Sequence, residues 1–322
     1  MENFNRLRKW LNLTHDNLAI LEKGSRGIVS KKSIKKGEII MEIPEKYLIE
    51  YSRISKKFNI SEDSLHNKNS LMAAYLLLEN INKNNPWEIY FDTLPKNLDE
   101  YIYYFSPSKL KLLKDSSIMC KETHNFQTQM KNIKEDSKVI YHYLIKNNLL
   151  STKKLKYVDF FKLFLRFRLY ICSRIFGYVK NYNDELGLVP YADLLNHSTK
   201  PNTTWFFDDD KKAFIVSATK NIPKNCEIYD SYGDKSNVEL MMYYGFTIKN
   251  NPHSKLYIGI RGKLITFTED NIDEVIMNSD RKKIIEILLK KREKHQENLE
   301  KNDDENIKNL LLDEIRIIKK IL

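Results

Sequence analysis

Short apolar runs with strand character stand at both ends of a long helical stretch, and this order limits the fold most strongly. The first runs flank a turn at Lys35 to Gly37 within GSRGIVSKKSIKKGEIIMEIP, a pattern that predicts a hairpin. A second hairpin is predicted where TTWFF and AFIVSAT flank the turn DDDKK. Between them, helical spacing continues from about Leu65 to residue 180. The sequence therefore predicts short strands on either side of a largely helical middle.

The helical patterns have recognisable ends. NPWEIYFDTLP predicts a short helix that begins near Pro86 and is stopped by Pro95. The run YVDFFKLFLRFRLYICSRIFGY predicts a long amphipathic helix with Arg174 near its end, and NVELMMYYGF predicts a helical turn that closes on Gly245. NIPKNCEIYDSYG predicts a short strand between them. The tail alternates apolar helical faces with a charged break at about 297–305.

Composition limits the partners. The chain has 322 residues, of which 42% are hydrophobic, so one large domain with an appendage is expected. A formal net charge of +11 raises the question of an anionic partner such as nucleic acid. However, lysine, asparagine and isoleucine are used heavily throughout, which indicates a coding bias, and no basic stripe interleaved with aromatics marks a nucleic-acid face. We therefore expect no nucleic-acid partner.

The sequence also bears on compartment and metal binding. No segment approaches the roughly 18 apolar residues of a membrane helix, and MENFNRLRKWLNL lacks the apolar core of a signal peptide. Cys120, Cys172 and Cys226 lie far apart, as is typical of a reducing compartment. Cys120 and His124 have the spacing of two metal ligands, but nothing nearby supplies the others. We expect a monomer of the cytoplasm or nucleus, with no membrane segment and no metal.

The segment LVPYADLLNHSTKPN begins like a buried strand but carries Asp193, Asn196 and His197 within it. Taken alone, an Asn-His pair at a strand end is most often a loop cap that satisfies local backbone groups. By the same reasoning, Arg174 on its own is a surface residue of an amphipathic helix. These side chains acquire a functional meaning only within a larger set of motifs.

That set is present. GSRGIVSKKSIKKGEII, SRIF, VPYADLLNHS, YDSYGDKSNVELMMYYGF and NNPHSKL occur in the order typical of SET-domain methyltransferases. The helical insert with WEIYFDTLP resembles that of the Rubisco large-subunit methyltransferase-like branch, and the resemblance extends from about residue 4 to 260. Each motif alone is common, whereas the ordered set is specific.

The resemblance implies an α+β fold of short, twisted sheets in which a C-terminal segment threads under an earlier loop, an exception to the usual unknotted chain. Threading brings NHS against YYGF and Tyr232, although these lie far apart in sequence. The implied division is a leading helix over 1–17, a SET domain over 18–248 with a helical insert at about 51–165, and a short helical extension over 249–322.

The resemblance also implies S-adenosylmethionine as the cofactor. The residues expected to bind it are Gly24, Ser25, Arg26, Arg174, Asp193, Asn196, His197, Tyr244 and Phe246. The Asn196 side-chain oxygen would hold the ammonium, and the Arg174 guanidinium would meet the methionine carboxylate. The backbone of His197 would contact adenine, while Tyr244 and Phe246 would close over the adenine and ribose. Glycine in the N-terminal loop would permit close backbone approach.

The implied reaction is methyl transfer to a lysine ε-amine of a protein. Such an in-line displacement requires a neutral nitrogen, whereas an exposed lysine has a pKa of about 10.4. An apolar tunnel, with Phe176 and Tyr191 as expected walls, favours the neutral amine. Tyr232 is the expected catalytic residue, since it would orient this amine.

Alternatives remain for the target and for the class of protein. Some relatives in this branch methylate histidine, but the apolar ring of Phe176 suits an aliphatic lysine stem better than an imidazole. A degenerate SET fold would serve as a binding module, although the intact Tyr232, Asn-His pair and Arg174 favour an enzyme. The tail after residue 260 is shorter than the substrate-docking domain of the branch. It either docks the protein substrate or covers the SET core.

Overall fold

The computed structural model describes residues 2–13, 17–21, 26–82, 85–123, 125–277 and 280–322. Helices and short strands are interspersed along these ranges. The helices are α1 Glu2–Trp10, α2 Tyr51–Ser55, α3 Asn69–Ile81, α4 Glu88–Phe91, α5 Pro107–Leu112, α6 Phe126–Lys146, α7 Tyr157–Arg174, α8 Asn237–Tyr244, α9 Ile272–Met277, α10 Arg281–Glu300 and α11 Glu305–Ile321. The strands are β1 Leu18–Leu21, β2 Gly27–Ser30, β3 Ile39–Pro44, β4 Ile49–Glu50, β5 Ile175–Lys180, β6 Asn183–Leu188, β7 Asn196–His197, β8 Thr203–Asp208, β9 Ala213–Ala218, β10 Glu227–Asp230, β11 Leu256–Ile260 and β12 Lys263–Phe267.

The strands form several small sheets. In the first, β2 lies between β1 and β10, and β7 extends the sheet by pairing with β10. In the others, β9 lies between β3 and β8, β6 lies between β4 and β5, and β11 pairs with β12. The pairings of β2 with β10, β7 with β10, β3 with β9 and β4 with β6 join strands that are far apart in sequence, so these sheets are completed only when distant segments meet.

The first predicted hairpin is wrong, although both of its strands exist. β2 pairs with β1 and β10, whereas β3 pairs with β9 in a different sheet. The residues between them connect two sheets, and Ile34 there bridges to Ile222. Apolar runs around a turn show only that two neighbouring strands could pair with each other. Here β2 pairs with the distant β10 and β3 with the distant β9 instead. The second predicted hairpin, β8 with β9, is confirmed from Thr203 opposite Ala218 onward.

Helix ends follow local chemistry. The long amphipathic pattern is helical up to Arg174, where the chain changes directly to strand β5. Helix α8 begins with a capping box formed by Ser236 and Glu239. It ends at Gly245, whose φ of 77° lies in the left-handed region, as the predicted closure requires.

The chain packs as two compact units, residues 1–96 with 135–233 and residues 97–134 with 234–322. The first unit contains α1–α4, α7 and strands β1–β10, and the second contains α5, α8–α11, β11 and β12, while α6 contributes to both. The predicted division into leading helix, SET domain and extension uses consecutive sequence ranges, whereas each compact unit combines two separate ranges. The predicted division stays a prediction.

The second unit has its own apolar core. It consists of Leu256, Ile258, Phe267, Ile284, Leu288, Ile317, Ile318 and Ile321. None of the helices in the described ranges is long and apolar enough to cross a membrane. The described His, Cys, Asp and Glu side chains form no group of three or more that could hold a metal ion.

Candidate active site

Tyr232 follows strand β10 and lies against β7. The two strands pair in parallel, with His197 opposite Asp230. The Tyr232 N–H donates to His197 Nδ1 at 3.0 Å, and the Tyr232 hydroxyl donates to the Leu195 carbonyl at 2.7 Å. Because Nδ1 accepts this bond, a neutral His197 ring carries its proton on Nε2. The structure thus brings the NHS motif and Tyr232 together.

Asn196 is oriented by a carboxylate on the paired strand. Its Nδ2 donates to Glu227 Oε1 at 2.7 Å, and Tyr229 donates to Glu227 Oε2 at 2.8 Å, which raises the pKa of Tyr229 to about 12. Gly27 lies directly against this pair, since a Cβ there would stand 2.3 Å from Glu227 Oε1 and 2.7 Å from Asn196 Nδ2. A carboxylate only accepts, so the amide nitrogen of Asn196 faces Glu227 and its oxygen is turned away from it.

Arg174, at the end of α7, contacts Asp193 just before β7. Its Nη1 donates to the Asp193 carbonyl at 2.9 Å and to Oδ2 at 3.1 Å. The side chains of Arg174 and Asp193 are 13% and 1% exposed. Tyr90 in α4 donates its hydroxyl to the same Oδ2 at 2.8 Å. A largely buried guanidinium is therefore fixed beside the segment that carries Asn196 and His197.

Tyr191 has a backbone geometry that is rare for a bulky residue. Its φ of 77° and ψ of −42° lie near the strained γ-turn region, and it precedes the turn Ala192–Leu194. The side chain is buried, and burial raises the pKa of its phenol. Such conformations cost on the order of 1–3 kcal/mol and persist where the surroundings fix them. The turn into β7 is therefore held by packing around Tyr191.

Phe176 belongs to a buried aromatic cluster. Its ring centroid is 5.3 Å from that of Trp205 and 5.2 Å from that of Phe214. Trp205 Nε1 donates to the two carboxylate oxygens of Asp230 at 3.1 and 3.2 Å. Burial raises the pKa of Asp230 to about 6, although hydrogen bonds from the Ser231 backbone and from Trp205 act in the opposite direction. An apolar wall is thus connected to a carboxyl group whose pKa is raised to about 6.

The remaining expected cofactor residues belong to other segments of the chain. Arg26 directly precedes β2 and donates to a backbone carbonyl in the segment after α4. Gly24 and Ser25 lie outside the described residues. Tyr244 and Phe246 belong to the second unit, with ring centroids 6.2 Å apart. The cofactor and substrate roles of all the expected site residues stay predictions.

The SET domain family matches residues 25–233, which is more than half of this chain. The chain belongs to the SET-domain family. A crystal structure described as the SET domain of LSMT bound to lysine and AdoHcy has the same fold, with a TM-score of 0.70 at 17% identity over 99% of this chain and 89% of that one. The predicted α+β SET fold is therefore confirmed, and sequence similarity to Rubisco large-subunit N-methyltransferases confirms the predicted branch.

Several curated relatives are methyltransferases by name. The ribulose-1,5-bisphosphate carboxylase/oxygenase large subunit N-methyltransferase of Nicotiana tabacum is 27% identical over 231 residues, which cover 68% of this chain and 45% of the relative. The actin-histidine N-methyltransferase of Danio rerio is 27% identical over 244 residues, covering 72% of this chain and 39% of the relative. This SET-domain chain thus spans less than half the length of either relative.

Sequence reasoning missed Tyr90, Glu227 and Asp230. Tyr90 lies in the WEIYFDTLP motif, yet its partner Asp193 is 103 positions away, so the sequence gives no sign of their contact. Asp230 did leave a signal, because it is an acidic residue at the end of the strand predicted in NIPKNCEIYDSYG, two positions before Tyr232, and a carboxylate requires a partner when buried.

Proposed function

We propose that this protein is an S-adenosylmethionine-dependent protein methyltransferase and that its target is a lysine ε-amine. The observation that carries the proposal is the position of Tyr232, whose N–H and hydroxyl are anchored on His197 and Leu195. Membership in the SET-domain family and the names of the relatives support it.

The residues near Asp193 fit the amino-acid end of this cofactor. The Arg174 guanidinium has the donor geometry that a carboxylate requires, and the Asn196 oxygen suits an ammonium group. Asp193 Oδ1 is buried and accepts no hydrogen bond from the described residues, so a polar partner is still required there. When bound, S-adenosylmethionine supplies an electrophilic methyl group attached to a sulfonium.

The protein must present a neutral amine in line with that methyl group. The lysine ammonium would first lose a proton to solvent water, and its nitrogen lone pair would then accept the methyl group that the cofactor supplies, which leaves S-adenosylhomocysteine as the second product. Apolar surroundings such as Phe176 and Tyr191 disfavour the charged ammonium. The Tyr232 hydroxyl donates to Leu195, and its oxygen lone pairs suit an amine N–H, which would orient the nitrogen.

Phe176 favours lysine over histidine as the target. Its packing against Trp205 and Phe214 makes an apolar wall that suits an aliphatic stem. An imidazole would instead require a polar partner for its second nitrogen. Histidine is the second candidate because several relatives are named for histidine methylation.

We further propose that the protein acts as a monomer on a protein substrate in the cytoplasm or nucleus, without nucleic acid. Light scattering after size exclusion should give a mass near 38.3 kDa, and twice that value would contradict the monomer. Microscopy of the tagged protein tests the compartment, and location in any other compartment would contradict it.

The decisive experiment combines binding and product analysis. Calorimetry with S-adenosylhomocysteine should give measurable heat, and labelled S-adenosylmethionine with a lysate should yield methyllysine after protein hydrolysis. No heat and no thermal shift at millimolar ligand would contradict the cofactor. Methylhistidine as the labelled product would contradict the lysine target while leaving the methyltransferase proposal intact.

A further inference from the structure

Helix α4 places a buried tyrosine against the segment that leads into β7. Tyr90 is fully buried, and its hydroxyl donates to Asp193 Oδ2 at 2.8 Å. Burial, followed by the negative charge of Asp193, raises the pKa of Tyr90 well above its ordinary value. The hydroxyl therefore remains protonated and acts as a permanent donor to this carboxylate.

Asp193 Oδ2 also accepts from Arg174. The Arg174 Nη1 lies 3.1 Å from Oδ2 and 2.9 Å from the Asp193 carbonyl oxygen, so the Tyr90 hydroxyl and the guanidinium share one carboxylate oxygen. Each donor partly neutralises the negative charge on Asp193 Oδ2. The hydrogen bond from one donor therefore weakens the electrostatic attraction between this oxygen and the other donor. The Tyr90 bond thus lowers the attraction of Asp193 for Arg174.

The balance matters because a bound carboxylate would compete with Asp193 for the same guanidinium. The five N–H donors of arginine lie in one plane, so a bond from Nη1 to Asp193 also fixes the direction of the others. If the pairing with Asp193 were too strong, it would offset the positive charge that Arg174 offers to a ligand. If the pairing were too weak, the guanidinium would no longer be held in one orientation. The Tyr90 hydroxyl is placed to set this strength.

The same turn of the insert also contacts the second arginine expected at the cofactor. The Thr93 carbonyl accepts from Arg26 Nη1 at 2.7 Å, and the Thr93 hydroxyl donates to the Tyr90 carbonyl at 2.6 Å. Arg26 is therefore bonded directly to Thr93, and Arg174 is linked to Tyr90 through Asp193, although the two arginines lie far apart in the sequence.

We propose that Tyr90 is a positioning residue of the cofactor site, acting through Asp193 to orient Arg174 toward the carboxylate of the cofactor. This inference rests on the proposed function. It assigns to the helical insert a part in cofactor recognition, in addition to its packing. The role concerns only the carboxylate end of the ligand, and this restriction makes it testable.

The test measures two ligands by calorimetry on the full chain: S-adenosylhomocysteine and its decarboxylated analogue, which lacks only the carboxylate. Tyr90→Phe should lower the affinity for S-adenosylhomocysteine roughly 10-fold, as expected for loss of a hydrogen bond to a charged group. The affinity for the analogue should stay within about twofold of the wild-type value. The matched control is Tyr178→Phe, because the buried Tyr178 donates to the buried Glu50 Oε1 at 2.9 Å. It should leave both affinities within about twofold of the wild type.

Each outcome decides the inference. If Tyr90→Phe weakens both ligands equally, or neither, Tyr90 contributes only to packing and the proposal is overturned. If the wild-type protein binds neither ligand, the proposed cofactor itself is wrong and the inference falls with it. If thermal unfolding shows that Tyr90→Phe does not fold, the double variant with Asp193→Asn removes the donor together with the charge that it satisfies. That variant must then lose affinity for S-adenosylhomocysteine selectively, and equal loss for both ligands overturns the proposal.

Discussion

Tyr232 is held by its backbone and by its side chain, since the N–H is bonded to His197 and the hydroxyl to Leu195. A hydroxyl fixed in this way needs no reorganisation when the amine and methyl group come into line, so it should contribute to the transition state more than to binding. We expect Tyr232→Phe to lower kcat by roughly 10²-fold with little change in cofactor affinity. Single-turnover assays check this. A wild-type kcat would remove Tyr232 from the catalytic residues.

Gly27 is required by space. A Cβ at this position would overlap with Glu227 Oε1 and the amide nitrogen of Asn196, whereas a Cβ at Gly177 would meet only the Leu186 side chain at 3.4 Å. We expect Gly27→Ala to lower the free energy of unfolding by about 1–3 kcal/mol, because Glu227 and Asn196 must move. For the same reason, the affinity for S-adenosylhomocysteine should fall. Gly177→Ala is the matched strand control. Equal effects of the two substitutions in urea unfolding and calorimetry would contradict this reading.

Asp230 gives the stability a defined pH dependence. Its pKa of about 6 in the fold lies above the usual 3.8, so the folded state binds the proton more tightly than the unfolded chain. The stability that it contributes is therefore full below pH 3.8 and is lost as the pH rises through 6. Relative to Asp230→Asn, the wild type should lose about 2 kcal/mol between about pH 4.5 and 7.5. A difference in urea unfolding that stays constant over this range would contradict the raised pKa.

At the scale of elements, local sequence patterns predicted those helices, helix ends and hairpins that depend on neighbouring residues. The hairpin of β8 and β9, the capped helix α8 and the end of α7 near Arg174 follow from turn residues, caps and apolar spacing. Pairing between distant strands was not predictable from spacing, because β2 and β3 look like one hairpin and yet pair in different sheets. The approach of the NHS motif to Tyr232 was expected only through the family resemblance, and the parallel pairing of β7 with β10 that produces it was not predicted.

The same limit applies to the candidate site. Asn196, His197 and Tyr232 were found because their motifs are short and ordered, whereas the bond from Tyr90 to Asp193 depends on how the insert packs. A buried tyrosine in an aromatic-rich helix has the sequence signature of a core residue, so its polar function is invisible before the partner is known.

Helix α11 is a structural part of the second unit. It buries Ile317 in the apolar core, and its Asp313 accepts from Asn237 at the start of α8 at 2.5 Å. We expect Ile317→Ala, at a fully buried position, to cost about 2–5 kcal/mol of unfolding free energy. The control Leu312→Ala, at a position 48% exposed on the same helix, should cost less than about 1 kcal/mol. Urea unfolding measures both, and similar costs would contradict this packing.

For the same reason, deletion of residues 262–322 should abolish cooperative folding of the second unit. It would remove β12 from its pairing with β11 and expose Leu256 and Ile258 of the core. Docking of the protein substrate by this tail remains a separate proposal. A truncated protein that folds, binds cofactor normally and shows only a raised KM would favour docking over the structural role.

At the scale of the whole molecule, an enzyme and a binding module that uses the net charge of +11 should be stabilised by different ligands. A ligand that binds only the folded state stabilises it by an amount set by its concentration relative to Kd, about 2.7 kcal/mol at 100-fold excess over Kd. We expect S-adenosylhomocysteine to give this stabilisation and to slow amide exchange in β7 and β10, where Asn196 and His197 are paired. A DNA duplex at equal concentration and about 0.15 M salt should give neither effect, since exposed charges are largely screened there. Stabilisation by DNA without any response to S-adenosylhomocysteine would reverse the assignment, because the basic surface and not the Asn196–His197 strand would then be the binding site.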